Sequence, residues 1–319
     1  MEARDFGRLG RVSALTLGGG GIGGVLGPTD RDEAVATVHA AIDAGITLLD
    51  LAPTYGPDSE AEQVVGAALR ESPAPEVMIT TKVQLPDAEI DDLPGRMRWS
   101  LEASLARLGR DRIDLFLVHS WLRPAGGEIT APRTLGWEHY VDEVVPAFTR
   151  LQEDGLIRGW GLTGVGHPSA IRVALTAEPC PYAVQMVVNA LDLTGDMWIF
   201  GDDGQPENPA LVAAAADAGV PVMAIRPVAA GALTDELDRD VDPDHPTYAD
   251  FARAAGFRAL AAELGQTPAA LAHRYALSVP GVATVVLGVK NRTELAEVVA
   301  AEAQGPLTED ERQAVTELR

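Results

Sequence analysis

Four side chains in the N-terminal part of the chain are suited to moving a proton beside a buried charge: Asp50, Tyr55, Lys82 and His119. Asp50 closes the apolar run 46–49, and a carboxylate at the end of a buried strand is costly unless a cation meets it. Tyr55 follows in a Pro/Gly loop, where it can act as a proton donor if its pKa is brought down from about 10. Lys82 ends the run Ile79-Thr-Thr, and His119 ends Leu115-Phe-Leu-Val. A lysine beside a tyrosine favours the phenolate and lowers its pKa, which makes a better acid near neutral pH. Asp50 would hold that lysine charged and oriented, and His119 would polarise or position a carbonyl oxygen. Such a set suits proton delivery to a carbonyl as a hydride arrives from a cofactor, or the reverse for an alcohol. Taken singly, each residue has a plainer explanation as a structural ion pair or a satisfied strand-end histidine. Four compatible groups at three consecutive strand ends are much harder to explain that way.

The elements that must position them alternate from end to end. Apolar runs predict strands over residues 12–17, 46–50, 77–82, 113–118, 157–162, 183–188, 220–225 and 282–287. Between them, helical spacing predicts helices over 33–44, from a Ser59/Glu62 capping box to about Arg70, and over 93–108, 138–153, 168–175, 210–218, 250–264, 268–277 and 293–301. A last helix, capped by Thr308, follows. Long stretches over 120–137, 191–207 and 227–249, after strands four, six and seven, read as loops. Strands alternating with helices imply a parallel sheet. Eight such units without a linker suggest a single (β/α)8 TIM barrel over residues 1–319, with a doubly wound sheet as the alternative that periodicity leaves open. In a barrel, the carboxyl ends of the strands share one mouth, and the four residues would meet there.

Composition narrows the class. The 319 residues are 46% apolar, enough for a sizeable core, and 25 Lys+Arg stand against 47 Asp+Glu for a net charge of −22. That charge argues against a nucleic-acid groove or an anionic membrane surface as partner. The single Cys180 fits a reducing compartment, and no apolar run approaches the ~18 residues of a membrane span. The N-terminal residues, with Glu2, Arg4, Asp5 and Arg8, lack the apolar core of a signal peptide. A cytoplasmic protein is the expectation, monomeric or weakly homo-oligomeric.

The segments Asp50-Leu-Ala-Pro-Thr-Tyr-Gly56, Ile79-Thr-Thr-Lys82 and Asp114-Leu-Phe-Leu-Val-His119 resemble the aldo-keto reductases, and the resemblance runs from Leu15 to the last helix. It implies a (β/α)8 enzyme using NAD(P)H without a metal. Tyr55 would be the general acid/base, Asp50 and Lys82 would tune it, and His119 would orient the substrate carbonyl. On the cofactor side, Gly161-Leu-Thr-Gly-Val-Gly166 is similar to the family's Gly-Val-Ser-Asn segment, with Thr163 in the hydroxyl role and Gly164 in place of the asparagine. Gln185 matches the glutamine that binds the nicotinamide carboxamide. Ile225-Arg226-Pro227 stands where the family often stacks an aromatic, and Arg226 can instead reach a phosphate. The segment 229–233, with Gly231 and Leu233, resembles the clasp on the pyrophosphate. Gly288, Lys290 and Arg292 match the segment that takes the 2′-phosphate of NADP, a reading supported by two cations at a helix start. Glu297 matches an adenine contact, while Val298 stands where an asparagine often follows. NADP (NADPH) is the expected cofactor, with NAD the second choice.

Other signals lead elsewhere and are weaker. Gly18-Gly-Gly-Gly-Ile-Gly23 matches G-x-G-x-x-G, but Pro28-Thr-Asp30 delays the helix that would face a pyrophosphate. It reads as a flexible first loop near the mouth. No Tyr-x-x-x-Lys pair occurs, and the six histidines form no metal-binding pattern. Trp121, Trp198 and Phe200 lie in the long loops and can shape a substrate pocket, while Trp137 and Trp160 read as core. The implied function is an oxidoreductase interconverting an aldehyde, ketone, sugar hemiacetal or lactone with an alcohol. The competing reading is a cofactor-binding regulatory barrel with little turnover.

Overall fold

A computed structural model describes residues 1–126, 131, 133–237 and 239–319. Eight parallel strands close into a barrel in sequential order: β1 (Leu15–Gly18), β2 (Leu48–Asp50), β3 (Met78–Val83), β4 (Ile113–Val118), β5 (Ile157–Thr163), β6 (Ala183–Val187), β7 (Val222–Ile225) and β8 (Val282–Leu287). The β8–β1 register, Leu287 opposite Leu17, completes the ring, so the doubly wound alternative falls away. Helices α1 (Arg31–Asp43), α2 (Glu60–Glu71), α3 (Leu93–Leu108), α4 (Val145–Glu153), α5 (Pro168–Thr176), α6 (Asn208–Asp217), α7 (Pro268–Ser278) and α8 (Arg292–Ala303) surround it. Further helices lie at Pro246–Arg253, Ala255–Glu263 and Glu309–Thr316. The strands are apolar runs rather than alternating ones because both of their faces are covered.

Inside the barrel, Leu48, Leu115, Leu117 and Met223 pack with Phe6 and Leu9. Those last two come from an antiparallel hairpin, Ala3–Asp5 with Arg11–Ser13, that plugs the amino-terminal end. The hairpin corrects the predicted first strand over 12–17. Ser13 Oγ donates to the Leu15 carbonyl and accepts from Thr47 N, and the chain changes partners at Ala14 before the barrel strand begins.

Two further elements differ from the sequence reading. Ser59 sits in the left-handed region, φ +60°, and makes no side-chain cap. The residue expected to complete that box, Glu62, is instead fully buried, accepting from Thr81 Oγ1 at 2.6 Å and pairing with Arg107 Nε at 2.6 Å. A tertiary partner has taken the side chain from the local motif. The helix predicted over 250–264 breaks into two at Ala254, and the one over 138–153 carries a π-turn at Tyr140–Val144. The second and third long loops each hold a 3₁₀ turn, Gly195–Met197 and Ala229–Gly231. Of the loop predicted over 120–137, residues 127–130 and 132 lie outside the described residues. Trp160 stacks on Phe148 in the core, with ring centroids 5.1 Å apart, and Trp137 packs against the same cluster.

The glycine run after β1 is a packed turn, Gly19–Ile22, rather than the flexible loop its composition suggests. A Cβ on Gly21 would lie 2.0 Å from the Val289 carbonyl oxygen, and one on Gly19 would lie 3.2 Å from the Tyr55 ring. The run lets backbone pass directly behind the tyrosine and beside the end of β8.

Candidate active site

Each of the four residues singled out for proton chemistry sits at or just beyond the carboxyl end of its strand, and the barrel brings them together. Asp50 ends β2 and pairs in register with Gly18 and Thr80. Lys82 projects from β3, and its Nζ lies 2.8 Å from Asp50 Oδ1 with neither side chain appreciably exposed. A second N–H of that ammonium goes to the Leu51 carbonyl at 2.7 Å. The Tyr55 ring centroid lies 4.6 Å from Nζ, and His119 meets the same ring edge-on at 5.7 Å. The cation that Asp50 requires is Lys82.

Burial sets the electrostatics. It works against the Lys82 ammonium, but Asp50 and then Tyr55 outweigh it, and the lysine pKa rises above its ordinary value. Burial likewise pushes the Asp50 carboxyl above its ordinary value, while Lys82, 2.8 Å from Oδ1, and the Gln185 amide N–H, which donates to the same oxygen at 2.7 Å, oppose that rise and favour the carboxylate. Lys82 does not bring the Tyr55 pKa below its ordinary value, as its type alone suggests. Burial dominates and pushes the phenol up, with Lys82 opposing and Asp50 adding to the rise. Tyr55 therefore holds its proton throughout the neutral range. His119 is driven to about 3 by burial and by the nearby lysine charge, so its imidazole is neutral.

The wall formed by β5 and β6 carries an incomplete polar set. Thr163 and Gln185 are register partners, both buried. The Thr163 hydroxyl has no partner among the described residues. Gln185 donates an amide N–H to Asp50 Oδ1 at 2.7 Å, which fixes its side-chain amide at the floor of the mouth. A buried hydroxyl without a partner, on the residue in register with a polar amide, fits a ligand that hydrogen-bonds there, as a carboxamide does. The sequence shows no asparagine at Gly164, and the structure gives the reason. A Cβ there would lie 2.3 Å from Met186 Sδ and 2.7 Å from the Gln185 carbonyl oxygen, so no side chain fits.

A cavity of about 350 Å³ opens beyond the ends of β7 and β8, and Gly231, Gly288, Lys290 and Glu297 line it. The other residues assigned to a cofactor are placed differently. Leu233 is fully buried in a second apolar cluster. Arg226, at φ +57°, binds Asp196 at 2.5 Å and the Thr194 carbonyl at 3.1 Å, tying the loop after β6 to the end of β7. Arg292 points to Glu33, and Glu297 accepts from Thr267. Lys290 Nζ pairs with Glu294 at 3.0 Å.

Sequence reasoning missed three features here: the Gln185–Asp50 bond, the hold of Glu33 on Arg292, and His273. The last lines the cavity with its Nε2 covered and unpartnered among the described residues. The first two depend on contacts between distant parts of the chain, and the third on burial that no local pattern displays. Trp198 and Phe200 pack edge to face, 5.3 Å between centroids, with His167 against both, and Trp121 Nε1 donates to the Met197 carbonyl. The aromatic residues of the long loops thus gather on one side of the mouth. Among the described residues no group of three or more His, Cys, Asp or Glu is arranged to hold a metal, and no helix is long and apolar enough to cross a membrane.

Comparison with known proteins places this architecture. The model of the aldo/keto reductase family matches residues 14–319. The L-galactose dehydrogenase of Arabidopsis thaliana is 27% identical over 304 residues, covering 94% of this chain and 88% of that protein. The glycerol dehydrogenase AKR11B4 of Gluconobacter oxydans superposes with a TM-score of 0.70 at 25% identity, over 99% of this chain and 94% of that one. The holo form of the aldo-keto reductase AKR11C1 of Bacillus halodurans superposes with a TM-score of 0.73 over 100% of this chain and 96% of that one. At 23% identity, this last likeness speaks to the fold alone.

Proposed function

Because the chain belongs to the aldo/keto reductase family, an oxidoreductase family, we propose that it is an NAD(P)H-dependent enzyme interconverting a small carbonyl compound and an alcohol, with Tyr55 as general acid/base. Aldehydes, ketones and sugar hemiacetals or lactones are the substrate classes, in keeping with relatives named for L-galactose and glycerol. The observation that carries the reading is the buried Asp50–Lys82 pair set against the Tyr55 ring.

A nicotinamide bound here would supply the hydride in reduction and accept it in oxidation. Thr163 and Gln185 are the residues proposed to hold its carboxamide, Gly231 and Leu233 to form the pyrophosphate segment, and Gly288, Lys290, Arg292 and Glu297 to seat the adenosine end. Arg226 is a further candidate for a phosphate. NADP(H) is the proposed form, on the strength of Lys290 and Arg292.

The chain's own part in the chemistry is the proton. As hydride adds to the carbonyl carbon, the C=O π pair moves onto oxygen, and that oxygen takes the Tyr55 proton. Lys82, kept charged by Asp50, stabilises the phenolate left behind. His119 is neutral, so it can donate a ring N–H to the same oxygen without adding a charge to the site. In alcohol oxidation the steps reverse.

Tyr55→Phe tests the assignment, since it removes the proton and leaves the ring. Carbonyl turnover should fall more than ~100-fold, the scale of a positioned acid, with dinucleotide binding largely intact. Undiminished turnover would remove Tyr55 from the chemistry and favour a regulatory barrel that binds the cofactor without using it.

A further inference from the structure

The seat proposed for the adenosine end already contains an anion of its own. α8 starts at Arg292 behind the Asn291 cap, and the backbone N–H and the guanidinium of that first residue both turn to one carboxylate from α1. The Arg292 backbone N–H reaches Glu33 Oε1 at 3.0 Å. The guanidinium grips both oxygens, Nε at 3.1 and 3.2 Å and Nη2 at 2.8 Å. This is the arrangement a phosphate would find at a helix N-terminus flanked by arginine, filled instead by a side chain. The consequence for the cavity is visible: Lys290, Glu294 and Glu297 line it, whereas Arg292, turned to Glu33, is not among the lining residues. The Glu33 carboxyl is held at about 2, chiefly by its hydrogen bonds from Arg292, so it stays charged at any working pH.

We infer that Glu33 is the selectivity residue of this seat, an internal anion that a 2′-phosphate must displace from Arg292 and that a 2′-hydroxyl leaves in place. The inference rests on the nucleotide reading above. A phosphate dianion arriving at this edge meets Glu33 as competitor for the fork and as a like charge, while Lys290 faces Glu294 in its own pair. An incoming ribose hydroxyl meets neither penalty. Glu33 therefore narrows the preference for NADPH that Lys290 and Arg292 would otherwise confer. The pair is partly exposed, with side-chain exposures of 59% for Arg292 and 29% for Glu33, so it can open without disturbing the barrel.

The test is equilibrium titration of the full-length protein with NADPH and with NADH, followed by quenching of protein fluorescence, in wild type, Glu33→Gln, Arg292→Gln and the double variant. Freeing an exposed cation from one carboxylate is a modest effect, and Glu33→Gln should tighten NADPH by about five-fold while NADH changes less than about two-fold. In the Arg292→Gln background the same substitution should no longer tighten NADPH, because its action runs through the guanidinium. An equal change for both nucleotides, or the same tightening without Arg292, would overturn the inference in favour of general charge repulsion. No change at all, or a loss of stability alone, would make the pair a structural tie between α1 and α8. Wild type that binds neither nucleotide would instead sink the nucleotide reading, and the inference with it.

Discussion

The floor of the barrel mouth and the rim proposed to seat the nucleotide hold the same kinds of charge in opposite ways. On the floor, Lys82 and Asp50 are sealed from water, 2.8 Å apart, with their remaining bonding capacity directed at Leu51 and Gln185. On the rim, Arg292, Arg226 and Lys290 are each met by a carboxylate but stay partly exposed. A buried pair is rigid, poorly screened by salt and costly to break. A rim pair can open when a better anion arrives. The chemistry proposed for the floor needs the first arrangement, because a proton donor must be held in place before substrate enters. A removable cofactor suits the second.

The largest break in this contrast comes from Lys82→Met. It removes the cation and leaves Asp50 buried with only the Gln185 N–H, so the cost should be about 3–5 kcal/mol of stability, in the range found for halving a buried pair. Denaturant unfolding of the variant measures it. A loss below ~1 kcal/mol would mean water reaches the pair, and the floor would then be no different from the rim. Glu33→Gln, by comparison, should leave the unfolding midpoint nearly unmoved.

The same contrast decides what was legible in the sequence. Asp50, Lys82 and His119 could be read because each closes its own apolar run, and a barrel topology converts strand ends into neighbours. Tyr55 followed from its loop position beyond Asp50. Their energetics were less legible. The rise of the Tyr55 pKa comes from burial that no local pattern displays. The rim was legible only as residue types at a helix start. Glu33 lies 259 positions from Arg292, and Gln185 lies 135 from Asp50, so nothing in either neighbourhood announces the contact. Glu62 shows the limit from the other side: a good local motif at Ser59 lost its glutamate to Arg107 and Thr81. Gly164 is legible as a departure, but only the neighbouring strand explains why a side chain is excluded, through the Gln185 carbonyl 2.7 Å and the Met186 sulfur 2.3 Å from where a Cβ would lie.

His273 sharpens the comparison, since it is a buried titratable group in the wall of the rim cavity. Its Nδ1 bonds the Ala269 carbonyl at 2.7 Å, and burial pulls its pKa from 6.5 to about 4. The folded state keeps it neutral while the unfolded chain takes up a proton below 6.5. Its contribution is therefore complete above that pH and is lost as pH falls through the window from 6.5 to about 4. Relative to a His273→Leu variant, wild type should lose about 2 kcal/mol between pH 7 and pH 5. Parallel unfolding curves at the two pH values would show that the ring reaches water, which would make this wall as open as the charged pairs around it.

Arg226→Gly probes the smallest effect and the least obvious balance. Arg226 holds φ +57°, a conformation that costs a residue with a Cβ roughly 1–2 kcal/mol and glycine almost nothing. Against that relief stand the ion pair with Asp196, whose side chain is 47% exposed, and the bond to the Thr194 carbonyl. A pair this exposed is worth about 0–1 kcal/mol. The two contributions nearly cancel, so the melting temperature should stay within a few degrees, as expected for a net change under ~1 kcal/mol. The segment 194–197 should loosen all the same, because its anchor to the end of β7 is gone, and faster amide exchange there would report it. A strained backbone kept in place by an arginine that adds little stability is best explained by what the guanidinium does at the mouth. If Arg226 also meets a nucleotide phosphate, the variant should weaken NADPH and NADH alike, which separates its role from the 2′-specific one assigned to Glu33. A large drop in stability would instead mark Arg226 as a structural cross-link, and one cation of the rim would then belong with the floor.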